Sequence, residues 1–594
     1  MGSMTDAAVE YNLIIVGGGL AGLTAGVRAL ELGQRTLIIE KGEGESYPCN
    51  SRHSGGILHI GFLDPYRPAE DLTQVIEQRS GGDADDAQTA VMANNGARFL
   101  DWLQDKGAQF VRFNEQEGYR WCMAPPRSLR AGIDWQGRGP DVVLRSLAKR
   151  FVELGGRIRR GTHAQSLLMQ AERCCGVTVI ENARSETIHG DHVLIADGGF
   201  QANQELYRQH ISDNFDRVFQ RGARTGMGDG LKMAVDAGAS LRGLDRFYGH
   251  VLCRDALHND NVWPYPEIDA IATSGVVVNA SGQRLADEGV SGVFLTNELA
   301  RAPSDDPSNG ILYAIFDVAI WEGPGRSARI PANPLLEGAG GTVLRADTIA
   351  ELAALAGLPS EDLVATIDNY NAALVSGTLE QLSIPRSCDL QPWPIIEAPF
   401  MAIPVCPGIT YTMGGIAIDE HAQVQNEDGR PIAGLLAAGA ATGGLEGGRH
   451  AAYIGGLMKA GVFGLIAAER VAALKDMSAV PTTLRDEPST SLPSVSASGA
   501  SRQPPAQAQA QASVPAVRPS RLAAYPMLNA VLRYGKVASI ALSLIIAALV
   551  LYLAWQDFGM VAVALASVAG LVTAALALTF TELVRLITDM LLPG

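Results

Sequence analysis

Leu13–Val16 is an unbroken apolar run of the length and composition expected for a buried parallel strand. Apolar positions then recur at helical spacing from about Leu20 to Leu32 and stop at Gly33. Thr36–Ile39 is a second short apolar run, closed by Glu40. Strand, helix and strand in this order predict a βαβ unit and a parallel sheet. Downstream, Ala69–Lys106 and Asp141–Leu154 read as helices, and Arg157–Ile188 as strands of a small antiparallel insert. His192–Ala196 reads as another buried strand, and Leu231–Gly238 as a helix opened by Thr225–Gly230. The texture changes from about Leu241 to Ala398. Gly275–Glu288 alternates like a hairpin around a turn at Asn279–Gly282, and Thr348–Gly357 and Asp362–Leu374 are amphipathic helices. This stretch is expected to be an inserted cap domain. Pro399–Ala417 is expected to return to the first domain, Pro431–Gly439 to be its last strand and turn, and a final helix to run to about Leu474.

The pattern then breaks. Ser478–Ser520 is rich in Pro, Ser, Ala and Gln and cannot bury a core, so it reads as a disordered tether. Val537–Trp555 and Met560–Leu583 follow, each near the ~20 apolar residues that span a bilayer. Arg518, Arg521, Arg533 and Lys536 precede the first run and Asp557 lies in the turn between the two. The positive-inside rule then predicts a transmembrane hairpin in the inner (cytoplasmic) membrane, with the folded part on the cytoplasmic side. The expected organisation is a dinucleotide-binding domain over residues 10–240 and 399–477, a cap over 241–398, a linker over 478–520 and a membrane region over 521–594.

Net charge of −16 argues against nucleic acid as a partner. The seven cysteines form no C-x-x-C, haem or iron–sulfur spacing and suit a reducing compartment; no metal site is predicted.

The candidate chemistry sits at the strand ends. Gly17, Gly19 and Gly22 have G-x-G-x-x-G spacing after a strand and at the mouth of a helix. That context is what a dinucleotide pyrophosphate requires: a tight turn at Gly17, close backbone approach at Gly19, and helix–strand packing at Gly22. Leu20 and Ala21 open the helix and present N–H groups to the phosphates. Glu40, followed by Lys41, is placed to accept from ribose hydroxyls. The loop Asn50, Ser51, His53, Ser54, Gly55 and Gly56 can run along the cofactor, or it can be a structural loop. Ala196, Asp197, Gly198 and Gly199 end another strand beside the first. Asp229 either serves the pyrophosphate or caps its helix. Gly439, Gly455, Gly456 and Leu457 belong to the last turn and the start of the last helix. For proton transfer or carbonyl hydrogen bonding the candidates are Tyr411 and Tyr453, and for clamping a carboxylate or ketone Arg449, His450 and His250. Arg284 and Glu288 either take part or pair structurally.

Taken together, GGGLAG with Glu40, ADGGF, GMGDG, VVVNASGQRLADE, TIAELAALAGLPSEDLVATIDNYN, GITYTMGG and GLLAAGAATGG resemble the fumarate reductase/succinate dehydrogenase flavoprotein superfamily in motif order, over roughly Tyr11–Leu474. The resemblance implies an α/β fold, a Rossmann-type FAD-binding domain with an inserted α+β cap, and redox chemistry at a C–C bond beside an electron-withdrawing group. It implies a small-molecule substrate and, through the membrane hairpin, a quinone or a membrane cytochrome or iron–sulfur partner. No histidine stands at the family's covalent-attachment spacing, so FAD is expected to be non-covalent. There are departures. Gly292 stands where fumarate reductases carry an arginine proton donor, and Thr410 where they carry a substrate-binding histidine. EGGRHAAYIGG replaces the C-terminal substrate-binding element. ITYTMGG and DEG look closer to the tricarballylate dehydrogenase and CobZ branch. Ketosteroid dehydrogenases share the architecture, but Met401 replaces their aromatic after A-P-F. Two alternatives stay open: an FAD-carrying electron-transfer subunit that needs a membrane partner, and a ketosteroid dehydrogenase-like enzyme.

Overall fold

A computed structural model describes residues 11–479, apart from 115, 128–134, 263–266, 304–310 and 328–329. Nearly all of the expected linker and both expected membrane runs lie outside the described residues. Among the described residues no helix is long and apolar enough to cross a membrane.

The first βαβ unit forms as the apolar pattern predicts. Tyr11–Val16 pairs in parallel with Thr36–Glu40 on one side and with Arg184–Ile195 on the other, and Leu20–Glu31 connects the first two. The sheet continues through Pro431–Ala437, parallel to Arg184–Ile195, and ends at Gln423–Gln425. Its strands are buried on both faces, which is why they read as unbroken apolar runs rather than as alternation. The final helix, Gly456–Ala479, supplies Met458, Val462, Phe463 and Leu465 to the same core.

A second core is built on a six-stranded sheet whose main path runs Phe219–Gln220, Phe400–Thr412, Leu312–Asp317 and Val276–Val278. Phe247–Cys253 and Leu344–Ala346 also pair with Phe400–Thr412. Here the structure departs from the expected domain boundary. Phe400–Thr412 does not rejoin the first sheet; it is the central strand of the second, paired along its length with Phe247–Cys253 and Leu312–Asp317. Pro404 and Pro407 disguise it, because proline usually marks an edge or a break. The expected hairpin at Gly275–Glu288 is reduced to one bridge, Val278 to Arg284, because Val276–Val278 pairs with Leu312–Asp317 instead. Arg157–Arg160 leaves the expected antiparallel insert and adds to the parallel sheet beside Thr36–Glu40. The amphipathic helices appear at Ile349–Ala356, with a Thr348/Glu351 capping box, and at Ser360–Ser376.

Candidate functional site

Glycine geometry sets the first turn. Gly17 sits at φ +104°, and a Cβ there would lie 2.5 Å from the Ala196 carbonyl oxygen. A Cβ on Gly22 would lie 2.0 Å from the Gly17 carbonyl oxygen, so Gly22 packs helix on strand. At Gly19 a Cβ would meet only Ser51 Oγ, at 3.5 Å, so this backbone faces open space. Gly19 is the N-cap and offers no side-chain cap; the Leu20 N–H donates to Ser51 Oγ at 3.1 Å. The open helix end carries the positive dipole that suits a phosphate.

The surrounding residues brace this turn. Glu40 accepts the Gly18 N–H at 2.8 Å and the Gly42 N–H at 2.7 Å, so the carboxylate at the end of the second strand shapes the turn as well as facing the cavity. Tyr47 donates its hydroxyl to the Gly18 carbonyl at 2.6 Å. The loop is pinned by a buried Arg52–Asp141 ion pair and by Asn50, which donates to the Thr410 carbonyl and accepts the Ala223 N–H, both at 2.8 Å. Lys41 Nζ lies 2.8 Å from Asp229, which starts its helix after Gly228. Asp197 accepts the Gly230 N–H at 2.7 Å through one oxygen, while the other is buried without a partner. Burial raises the Asp197 carboxyl to about 6. His53 stacks on Trp135 with both ring nitrogens buried and unpartnered; burial, with Arg138 and Arg127 nearby, lowers it to about 4.

A cavity of about 820 Å³ runs from the glycine turn to the second sheet. Gly17, Gly19, Leu20, Ala21, Glu40, Lys41, Asn50, Ser51, His53, Ser54, Gly55, Gly56, Ala196, Asp197, Gly198, Asp229, Gly439, Gly456 and Leu457 all line it. Gly22, Gly199 and Gly455 do not. A Cβ on Gly199 would strike Thr412 Oγ1 at 2.1 Å and one on Gly455 the His59 carbonyl at 2.3 Å, so these glycines pack the wall from behind. The open backbone at Gly19 beside the helix N-terminus and the orphaned Asp197 oxygen fit the residues to a dinucleotide such as FAD.

At the second-sheet end, Tyr248, Tyr411 and Tyr453 line the cavity with His250, Glu267, Asp269, Arg221 and Thr410. Tyr411 donates its hydroxyl to the buried Glu446 carboxylate, 3.0 Å from each oxygen, and burial and that charge push the phenol well above its ordinary range. Glu446 also accepts the Ile454 and Gly455 N–H groups, at 3.1 Å each, and lies 3.7 Å from the fully buried Lys459. Tyr248 stacks on Tyr453 with ring centroids 3.9 Å apart. His250 Nε2 is 2.9 Å from the Tyr248 hydroxyl and 3.7 Å from Glu267, while Nδ1 bonds the Asp269 carboxylate.

Two expected clamps are elsewhere. Arg449 is on the surface, hydrogen-bonded to Asp83 at 2.9 and 3.1 Å, and its neighbour His450 is exposed beside Gly81; neither lines the cavity. In this loop the acid and not the arginine faces inward: Glu446 is buried and accepts the amides of Ile454 and Gly455. Arg284 is buried on Glu288 at 2.5 Å and on the Ile384 carbonyl at 2.5 Å, which is the structural pairing, away from the cavity. Sequence reasoning missed Tyr248, Glu267 and Asp269. The signal for Tyr248 was present: Tyr248 and His250 are two apart in a strand and so share a face.

A family model described as FAD binding domain matches residues 12–455. NADH:acrylate oxidoreductase of Vibrio harveyi is 30% identical over 391 residues, covering 63% of this chain and 36% of the relative. NADH:fumarate oxidoreductase of Klebsiella pneumoniae is 26% identical over 481 residues, covering 79% and 48%. The chain belongs to the fumarate reductase/succinate dehydrogenase flavoprotein superfamily. FAD is its cofactor. This flavoprotein spans 36% and 48% of the length of those two curated relatives. Its fold is similar to that of 3-ketosteroid-Δ4-(5α)-dehydrogenase from Rhodococcus jostii, with a TM-score of 0.59 at 20% identity, over 79% of this chain and 98% of that one.

Proposed function

We propose that this flavoprotein is an oxidoreductase acting on an activated C–C bond, α,β to a carboxylate or ketone, of a small organic substrate. What carries the reading is one observation: a single cavity joins the phosphate-type turn at Gly17–Ala21 to the tyrosine, histidine and carboxylate groups of the second sheet. Two relatives whose names specify acrylate and fumarate support it. Bound FAD supplies hydride transfer. Among the chain's own residues, the amides of Leu20 and Ala21 with Ser51 would hold the diphosphate, and Glu40 the ribose. FAD is held without a covalent bond, so acid precipitation should release it into the supernatant.

The test is a screen of enoates, enones and their saturated counterparts against the FAD-loaded chain, read by flavin absorbance. One compound that bleaches or restores the flavin rapidly supports the enzyme reading. A second reading, an FAD subunit whose partner completes the substrate site, is favoured by Gly292 in place of the arginine donor. It gains if no compound acts without an added partner.

We further propose that residues 537–555 and 560–583 tether the flavin domain to the cytoplasmic face of the inner membrane and bring it near a quinone or a membrane cytochrome. A chain truncated after Met477 that passes electrons to quinone as well as the detergent-solubilised full chain does would refute this.

A further inference from the structure

Two of the three tyrosines at the second-sheet end of the cavity have very different hydrogen-bond partners. The Tyr411 hydroxyl faces a carboxylate that has no proton to give: it donates to both oxygens of Glu446 at 3.0 Å, and that carboxylate is held in place by the Ile454 and Gly455 amides. Its only proton is committed inward. A phenol in this setting can accept a hydrogen bond from a ligand, and the base it faces is a carboxylate, ordinarily a weaker one than an imidazole.

Tyr248 is different. Its hydroxyl lies 2.9 Å from His250 Nε2, and the far side of that ring, Nδ1, bonds the Asp269 carboxylate. Because a carboxylate only accepts, Nδ1 carries a ring proton, and in the neutral ring Nε2 is then the acceptor for the Tyr248 O–H. Asp269 is itself fixed, since its other oxygen accepts the Val251 N–H at 3.0 Å. All three side chains border the cavity. Strand pairing produces the alignment. Tyr248 and His250 lie on one strand with a bulge after Tyr248, and Asp269 begins the short helix Asp269–Ser274 packed beside it. The charged groups facing His250 are Asp269 and Glu267, with Arg221 3.6 Å from Glu267.

We propose that Tyr248, backed by His250 and Asp269, is the proton-transferring group of this site, and that Tyr411 is a fixed hydrogen-bonding wall. This rests on the oxidoreductase reading above. In the oxidative direction the Tyr248 oxygen takes a proton from the carbon next to the substrate's electron-withdrawing group. The C–H bond breaks, its electron pair stays on the substrate as an enolate, and a new O–H forms on Tyr248. The former Tyr248 proton moves to His250 Nε2, leaving an imidazolium held against ionised Asp269. In the reductive direction the same proton returns along the same atoms. Tyr248 is the catalytic residue, and His250 and Asp269 are positioning residues that act through it.

Two measurements on the full, FAD-loaded chain test this. The first needs no substrate. Long-range ¹H–¹⁵N spectra of histidine-labelled protein at pH 8 should show His250 protonated on Nδ1 alone, with Nε2 shifted by a hydrogen bond. That shift should vanish in Tyr248→Phe, and Asp269→Asn should move the ring proton. A proton on Nε2 in the parent, or an Nε2 signal unmoved by Tyr248→Phe, overturns the relay whatever the substrate is. The second uses the compound that the absorbance screen identifies, in its saturated form, with the enzyme kept reduced so that only the proton step runs. Solvent deuterium should enter the carbon beside the electron-withdrawing group. Tyr248→Phe should slow this about 10²–10⁴-fold and His250→Gln similarly, with the flavin still bound, and the loss in Tyr248→Phe should exceed that in Tyr411→Phe. Exchange lost in Tyr411→Phe and kept in Tyr248→Phe refutes the assignment. Failure of the screen itself would count against the oxidoreductase reading and leave the spectroscopic result to decide the relay.

Discussion

Replacing Glu446 by Gln removes one charge from a fully buried pair and leaves Lys459 without its carboxylate. Lys459 Nζ is 3.7 Å from Glu446 and donates to the Thr442 carbonyl at 2.8 Å; burial already pushes this ammonium toward neutrality and Glu446 opposes it. Removing one partner of such a pair costs about 3–5 kcal/mol, because the remaining charge is stranded. With about 2.1 cal/mol/K of unfolding entropy per residue over roughly 470 folded residues, the entropy is about 1 kcal/mol/K, so the midpoint should fall about 3–5 °C. The double variant Glu446→Gln/Lys459→Met removes both charges. It should recover to within about 1–2 kcal/mol of the parent, the residue of the loss being the orphaned Thr442 carbonyl. Thermal unfolding followed by flavin fluorescence, in a four-member cycle, reads the coupling directly. If Glu446→Gln melts within 1 °C of the parent, or the double variant loses the sum of the two single losses, the two groups are not an energetically coupled pair, and the account of what holds Tyr411 in place fails with it.

Three further outcomes follow from the same structure. Gly22→Ala puts a methyl 2.0 Å from the Gly17 carbonyl, so the purified variant should lose its FAD, and a stoichiometric yellow preparation would contradict the packing role. Asp197 is favoured in its neutral form by the fold, with its carboxyl raised from 3.8 to about 6. That stabilisation is whole below about pH 4 and is lost as pH rises through about 6, so the buried charge costs about 3 kcal/mol at pH 7. Asp197→Asn should therefore melt above the flavin-stripped parent at pH 7.5 and alongside it at pH 4. Arg449→Ala breaks only a surface contact with Asp83 and should leave kcat/KM within about twofold, whereas a loss of a hundredfold would restore it to the site.

What could be read from the chain and what could not divides along one physical line. The glycine turn, Glu40, the Asn50–Gly56 loop and the Ala196–Gly198 strand end were legible because their constraints are local. A strand, a positive-φ glycine and a helix start follow one another within a few residues, and the spacing itself encodes the geometry. Phe400–Thr412 was assigned to the wrong sheet because an apolar run does not say which neighbour it will pair with. The second-sheet end of the cavity was read worst. Arg449 and His450 follow a glycine-rich stretch that fits many backbone paths, and the path is chosen by Glu446, whose carboxylate gathers Tyr411 and the Ile454 and Gly455 amides. Nothing in the spacing of EGGRHAAYIGG announces that its acid, not its arginine, turns inward. Asp269 was invisible for the same reason: it reaches His250 from 19 positions further along the chain. The proton-transferring groups proposed above are set by which segments the second sheet brings together, and the first sheet's cofactor motif carries no information about them. Two members of a superfamily can therefore share a cofactor turn like Gly17–Gly22 yet carry different side chains at the far end of the cavity.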